Sequence, residues 1–159
     1  MTPATPPATE RVLTAARTLG LELDIHQFPV GTKTAADAAA AIGCDVAAIV
    51  KSLVFVVDQE PVIVLVPGDL MLDPSKLEAI AGKAPARRAT LEEVRSATGF
   101  AAGGTPPFGH AQTLRVFADE ALRRNDPVWA AGGTPTTVFP ISPDDLDRSV
   151  KPIWALLSK

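Results

Sequence analysis

An α+β fold built on one mixed, mostly antiparallel central sheet of about seven strands flanked by helices is what this sequence predicts. Three observations carry that expectation. The apolar runs Ile49–Val57 and Pro61–Pro67 are joined only by Asp58-Gln59-Glu60, so they read as a hairpin of two central strands and argue against an all-parallel sheet. Short helical patterns with cap-and-proline entries and glycine exits fall between the remaining apolar runs. The 159 residues, 47% hydrophobic and 21% charged, suffice for one core, and no linker-like stretch divides them.

Residues 1–8, rich in Pro and Thr, read as a flexible tail before a domain over residues 9–159. Thr9-Glu10-Arg11 opens a helix with Val12, Ala15, Ala16 and Leu19 on one stripe, and Gly20 closes it. Leu23–Phe28 alternates as a first strand stopped by Pro29, and Gly31-Thr32-Lys33 is a turn. Thr34 caps Ala35–Ile42 with Asp37 at the third position, and Gly43 ends that helix. After a brief helical turn at Asp45–Ala48 comes the hairpin. Asp73-Pro74 starts the next helix, carrying Leu77 and Ile80, and Gly82 ends it. Ala86–Ala89 reads as an edge strand, to which Arg87 and Arg88 are suited, and Thr90-Leu91-Glu92-Glu93 is a capping box for a helix to Thr98. A strand about Leu114–Phe117, a short helix at Asp119–Arg124, the run Val128–Ala131, a strand at Thr136–Ile141 and a helix begun by Ser142-Pro143 follow. Val150–Leu157 closes the fold.

Several chemistries are excluded or disfavoured. A net charge of −3 argues against gripping nucleic acid by electrostatics alone. The apolar runs are too short to span a bilayer and the N-terminus lacks the blocks of a signal peptide, so a cytoplasmic location is the default. A single cysteine, Cys44, excludes an internal disulfide and reads as a buried small hydrophobe. His26 and His110 are far apart, so no metal-ligand spacing exists, and neither a phosphate-binding glycine loop nor a Gly-x-Ser-x-Gly elbow appears. No metal or cofactor is expected. Asp144-Asp145 and Glu92-Glu93 read as first-turn carboxylates that meet helix dipoles.

One hexapeptide, Ala-Ala-Gly-Gly-Thr-Pro, occurs twice, at residues 101–106 and 130–135. Paired glycines lack a Cβ to block close approach, and turns of this kind can aim backbone N–H groups at an anion. We read the two copies as two walls of one pocket. Lys51 interrupts the apolar run Ile49–Val57. It is either a snorkelling residue at the strand's mouth or a cation aimed into a cleft, able to hold a phosphate or carboxylate or to polarise an ester carbonyl. His110, behind the first loop, is either a loop histidine or a hydrogen-bonding group near neutral pH.

At this point the sequence resembles the YbaK/EbsC family of prolyl-tRNA-synthetase-associated editing domains. The likeness rests on Thr34-Ala35-Ala36-Asp37-Ala38-Ala39, Ile49-Val50-Lys51-Ser52-Leu53-Val54-Phe55, Leu65-Val66-Pro67-Gly68-Asp69 and Thr98-Gly99-Phe100. It continues through Gly103-Gly104-Thr105-Pro106-Pro107-Phe108-Gly109-His110 and Trp129-Ala130-Ala131-Gly132-Gly133-Thr134-Pro135 to Phe139-Pro140-Ile141-Ser142-Pro143. The resemblance implies a trans-editing factor that hydrolyses the ester of a mischarged aminoacyl-tRNA, with alanine or cysteine on proline tRNA the common substrates. Its partners would be the tRNA acceptor end and prolyl-tRNA synthetase, without a membrane or a metal. It implies a central catalytic role for Lys51 and for the amides of Gly103 and Gly104. Substrate contacts would come from Phe28, Thr34, Thr105, Pro106, Pro107, Phe108, Gly109, His110, Ala131, Gly132, Gly133 and Thr134. Ala131 stands where several relatives carry Ser or Gly. The other reading is a non-catalytic small-ligand or synthetase-binding module that keeps the same pocket.

Overall fold

The structure, a computed structural model, describes residues 5–28 and 34–159. Pro29 and the expected turn at Gly31-Thr32-Lys33 lie outside the described residues. The helices are α1 (Pro7–Thr18), α2 (Ala35–Ile42), α3 (Pro74–Ile80), α4 (Leu91–Thr98) and α5 (Pro143–Val150). The strands are β1 (His26–Gln27), β2 (Val50–Val57), β3 (Glu60–Pro67), β4 (Ala86–Arg88), β5 (Arg115–Asp119), β6 (Val128–Ala131), β7 (Thr137–Ile141) and β8 (Ile153–Ala155).

Local chemistry sets the helix starts where expected. The Asp37 N–H donates to Thr34 Oγ1 at 3.1 Å, the Ser75 N–H to Asp73 Oδ1 at 3.0 Å, and the Asp145 N–H to Ser142 Oγ at 3.0 Å. Thr90 and Glu93 form the reciprocal capping box. Gly43 and Gly99 close their helices in the left-handed conformation. Among the described residues the first strand is shorter than the expected Leu23–Phe28, pairing only at His26–Gln27, and one helix start differs. Helix α1 begins at Pro7, so Pro7 and Ala8 belong to it and not to a tail. Proline suits this position because the amide it lacks would be unpaired in the first turn anyway.

The mixed α+β class holds, but the single sheet of about seven strands does not. Strands β4-β2-β3-β5-β8 form one sheet, and β1-β7-β6 form a second. Among the described residues, an isolated bridge, Ile49 to Trp129, is the one strand pairing that links the two. Within the larger sheet the hairpin is antiparallel, while β3–β5 and β5–β8 run parallel. The turn is also tighter than expected. Glu60 pairs with Val57, leaving Asp58 and Gln59, at φ 51° and 66°, as a two-residue connection. Two positive φ values suit the right-handed strand twist but strain side chains other than Asn, Asp and Gly, so the strain falls on Gln59. Gln59→Gly is therefore expected to stabilise by about 0.5–1 kcal/mol, read as a rise in Tm of about 1–4 °C.

Strand β2 is buried on both faces, which explains its almost unbroken apolar sequence. Val50 and Val54 join a core with Val12, Leu65, Phe100, Phe108 and Phe139, while Phe55 and Val57 join another with Val64, Leu77, Phe117 and Leu157. Helix α2 packs Ala38 and Ala39 on Ile49 and Trp129. Cys44, beside them, is half-buried, and its thiol pKa is raised, mainly by burial. The two exceptions in β2, Lys51 and Ser52, mark where the cores give way to a cavity.

Candidate active site

The two copies of the hexapeptide touch through their second glycines. A Cβ on Gly104 would lie 2.7 Å from the Gly133 carbonyl carbon and oxygen and from Thr134 Cα. The Gly133 N–H donates to the Gly104 carbonyl at 3.0 Å. On its other side, Gly133 has φ +104°, and a Cβ there would lie 2.8 Å from the backbone of Ala8. Three backbones are thus stacked: first loop, second loop and the start of α1. Buried Thr137 ties the stack together. Its hydroxyl accepts from the Thr134 N–H at 3.2 Å and from the Thr9 hydroxyl at 3.3 Å, and meets the Thr134 hydroxyl at 2.9 Å.

Beside this stack lies a cavity of about 320 Å³. Ala102, Gly103 and Thr105 of the first loop line it, as do Ala131, Thr134 and Pro135 of the second. Thr34 at the start of α2, Trp129, and Lys51 and Ser52 of β2 complete its principal walls. Lys51 Nζ donates to the Leu70 carbonyl at 2.6 Å. Its pKa is pushed below the ordinary lysine value, first by burial and then by the Arg88 charge, with Asp69 opposing both. Asp69 is itself held by the Arg124 guanidinium at 2.8 and 3.2 Å, which keeps its carboxyl ionised. No Asp, Glu, His or Cys is among the described residues that line this cavity.

The loop amides are mostly committed. The Gly104 N–H donates to Ala101 at 2.9 Å and the Gly132 N–H to Thr137 at 2.8 Å, while those of Gly133 and Thr134 are spent as described. The expectation that both Gly103 and Gly104 offer amides to an oxyanion is thereby corrected. Among the described residues, the Gly103 N–H is the one in this glycine pair that makes no such bond, because it precedes the first closed turn of the short 3₁₀ segment Ala102–Gly104.

A comparison with known families matches residues 30–149 to the aminoacyl-tRNA editing domain. The chain belongs to that family. Among solved structures, it superimposes with a TM-score of 0.93 on one described provisionally as a trans-editing enzyme for prolyl tRNA synthetase, at 42% identity over 98% of this chain and 99% of that one. The YwhH protein of Bacillus subtilis is 33% identical over 84% of this chain and 85% of its own length. The proline–tRNA ligase of Nitratidesulfovibrio vulgaris strain Hildenborough is 38% identical over 64% of this chain, but the match spans only 18% of the ligase.

In this editing domain, Lys51, Gly103, Thr34, Thr105, Ala131 and Thr134 are brought together around the cavity. Gly104, Gly132 and Gly133 sit behind its wall as the packing that shapes it. The remaining expected substrate contacts lie elsewhere. Phe28 binds the Thr136 carbonyl through its N–H at 2.8 Å and is not on the cavity lining. Pro106, Pro107 and Phe108 are buried, with the Phe108 ring tilted against that of Phe139 at 5.8 Å in the core. Gly109, at φ +78°, and His110 line a separate cavity of about 450 Å³ against α1, with Glu10 and Arg11. His110 Nε2 donates to the Pro106 carbonyl at 2.8 Å, and burial lowers its pKa, so it is neutral at pH 7 and braces the loop. A larger hollow of about 690 Å³, between the hairpin end and α4, holds none of the expected residues. At its lip Arg87 grips Glu93 at 2.7 and 2.8 Å, holding that carboxyl at a pKa of about 2.

Among the lining residues that the sequence does not single out, Arg88 and Ser52 bear on the chemistry. Arg88 was read only as an edge-strand residue. Ser52, directly after Lys51, is the other polar residue of β2, and that pairing was the available signal. Its Oγ is the one buried side-chain polar atom without a hydrogen-bond partner among the described residues. Such an atom destabilises a fold, so Ser52→Ala is expected to leave Tm unchanged or raise it. A fall in Tm of several degrees would show that the hydroxyl holds the strand.

Proposed function

We propose that this editing domain is an aminoacyl-tRNA deacylase that acts in trans, hydrolysing the ester of a small amino acid mischarged on proline tRNA. The observation that carries the reading is the cavity itself: a strand lysine, an unspent glycine-loop amide and walls of small residues in a member of this family. The likeness to a structure described as a trans-editing enzyme for prolyl tRNA synthetase supports the choice of tRNA.

The chemistry fits the residues. An aminoacyl ester is already activated, so water positioned beside it needs mainly a preorganised sink for the charge that develops on the carbonyl oxygen. Lys51 supplies a full positive charge from a rigid strand, oriented by the Leu70 carbonyl, which takes one of its three hydrogens. The Gly103 N–H supplies a second donor. Water adds to the ester carbon, the tetrahedral oxyanion collapses, and the ribose hydroxyl leaves with a proton. No side chain of the described lining serves as general base, so proton transfer falls to water and to the neighbouring ribose hydroxyl. A space of about 320 Å³ shared with part of a ribose favours alanine or cysteine over bulkier side chains.

The test is incubation of the chain with proline tRNA carrying alanine, cysteine or serine. Release of one of these identifies the substrate. Binding of the charged tRNA without release would favour the non-catalytic module.

A further inference from the structure

Lys51 lies at the cavity wall with its ammonium tied to Leu70, but a second cation lines the same space. Arg88 is the last residue of β4, paired in register with Phe55 of β2, and it is exposed. Its position brings its charge within electrostatic reach of Lys51. Arg87, its neighbour in β4, and Arg124, which holds Asp69, are already satisfied: Arg87 by Glu93 and Arg124 by Asp69. No ion pair among the described residues includes Arg88. The one acid that acts on Lys51, Asp69, is held by Arg124. A chain of net charge −3 thus places two like charges at one cavity and leaves the outer one unpaired.

We propose that Arg88 binds the phosphodiester on the 5′ side of the terminal adenosine while the aminoacyl ester sits against Lys51. This inference rests on the deacylase reading and divides the work between the two cations. When the ester carbon is at the inner wall, the nearest anion of the substrate is one ribose away, at the mouth. A guanidinium is suited to it, since its fork matches two phosphate oxygens and its charge survives at any working pH. One such contact lets an acidic protein recognise a nucleic-acid end without a basic face, and it tells a tRNA terminus from a free aminoacyl ester.

The test uses 3′-O-alanyl-adenosine and the same ester carrying a 5′-methylphosphate, which has the single negative charge of a phosphodiester. Wild type is expected to favour the phosphate-bearing ester by about 10-fold in kcat/KM, mostly through KM, the worth of one charge-assisted contact. In Arg88→Ala that ratio falls to about 1, and in Arg88→Lys it is intermediate. Calorimetric titration of adenosine and adenosine 5′-methylphosphate reads the same ratio without catalysis. A wild type that cleaves neither ester but still shows the Arg88-dependent binding ratio would sink the deacylase reading and leave the phosphate site standing. A ratio near 1 in wild type, or a wild-type ratio retained in Arg88→Ala, overturns the proposal.

Discussion

Gly133→Ala lowers the melting temperature by about 4–16 °C, the expectation for a loss of about 2–4 kcal/mol in a chain of this size. The magnitude has two sources. The residue sits at φ +104°, where any Cβ is strained by about 1 kcal/mol or more. The new methyl would also lie 2.8 Å from the Ala8 carbonyl and 3.0 Å from the Thr9 amide. Both obstacles are backbone in the first turn of α1, which cannot swing aside as a side chain would. Thr9 is fully buried and bonded to Thr137, so a shift of this turn also disturbs the hydroxyl network under the second loop. Gly103→Ala is the internal control. Its Cβ would meet Pro135 Cγ at 3.5 Å, an ordinary contact, and its φ is not positive. Thermal melts of the two variants should therefore differ widely, and equal melting temperatures would contradict the stacked-backbone account.

Lys51→Ala is expected to lower kcat/KM for deacylation by about 100–1,000-fold with the melting temperature kept, the usual loss when a preorganised donor to an oxyanion is removed. The pH dependence carries the same claim with a definite sign. The ammonium form is the active one, so activity falls as pH rises through the pKa of Lys51. Burial first, then Arg88, sets that pKa below the ordinary lysine value, so the decline begins earlier than an exposed lysine would give. Spontaneous hydrolysis of the ester increases with pH and must be subtracted. In Lys51→Ala this alkaline limb disappears. A variant that keeps wild-type activity, or a decline that survives the substitution, would remove Lys51 from the chemistry.

Much of this fold was legible from short-range chemistry. Caps at Thr34, Asp73, Thr90 and Ser142 announce helices because a side-chain oxygen two or three residues before a free amide has one obvious use. The hairpin was legible because both its strands are apolar on both faces. The division into two sheets was not. Strand β1 has only two laddered residues, and β6 and β7 carry the same alternation whether they extend the large sheet or leave it. Sheet membership is decided by long-range pairing, which no local pattern encodes.

The site shows the same boundary. A repeated hexapeptide pointed to one pocket, since two identical glycine pairs imply two close approaches. Which glycines face the cavity and which face each other depended on a stacking of three backbones that involves Ala8, more than a hundred residues away in sequence. Phe108, Gly109 and His110 follow the first loop directly, yet the chain turns them into the core and toward α1. Adjacency in sequence was mistaken for adjacency in space. Arg88 was read for its strand edge alone, because its closeness to Lys51 arises only from the β2–β4 register.

Editing demands discrimination as well as hydrolysis. The most direct measurement compares alanyl-tRNA and prolyl-tRNA, both on proline tRNA, as substrates of the chain alone. Release of alanine with the prolyl ester spared is the expected result. Survival of both esters, or equal loss of both, would contradict the account.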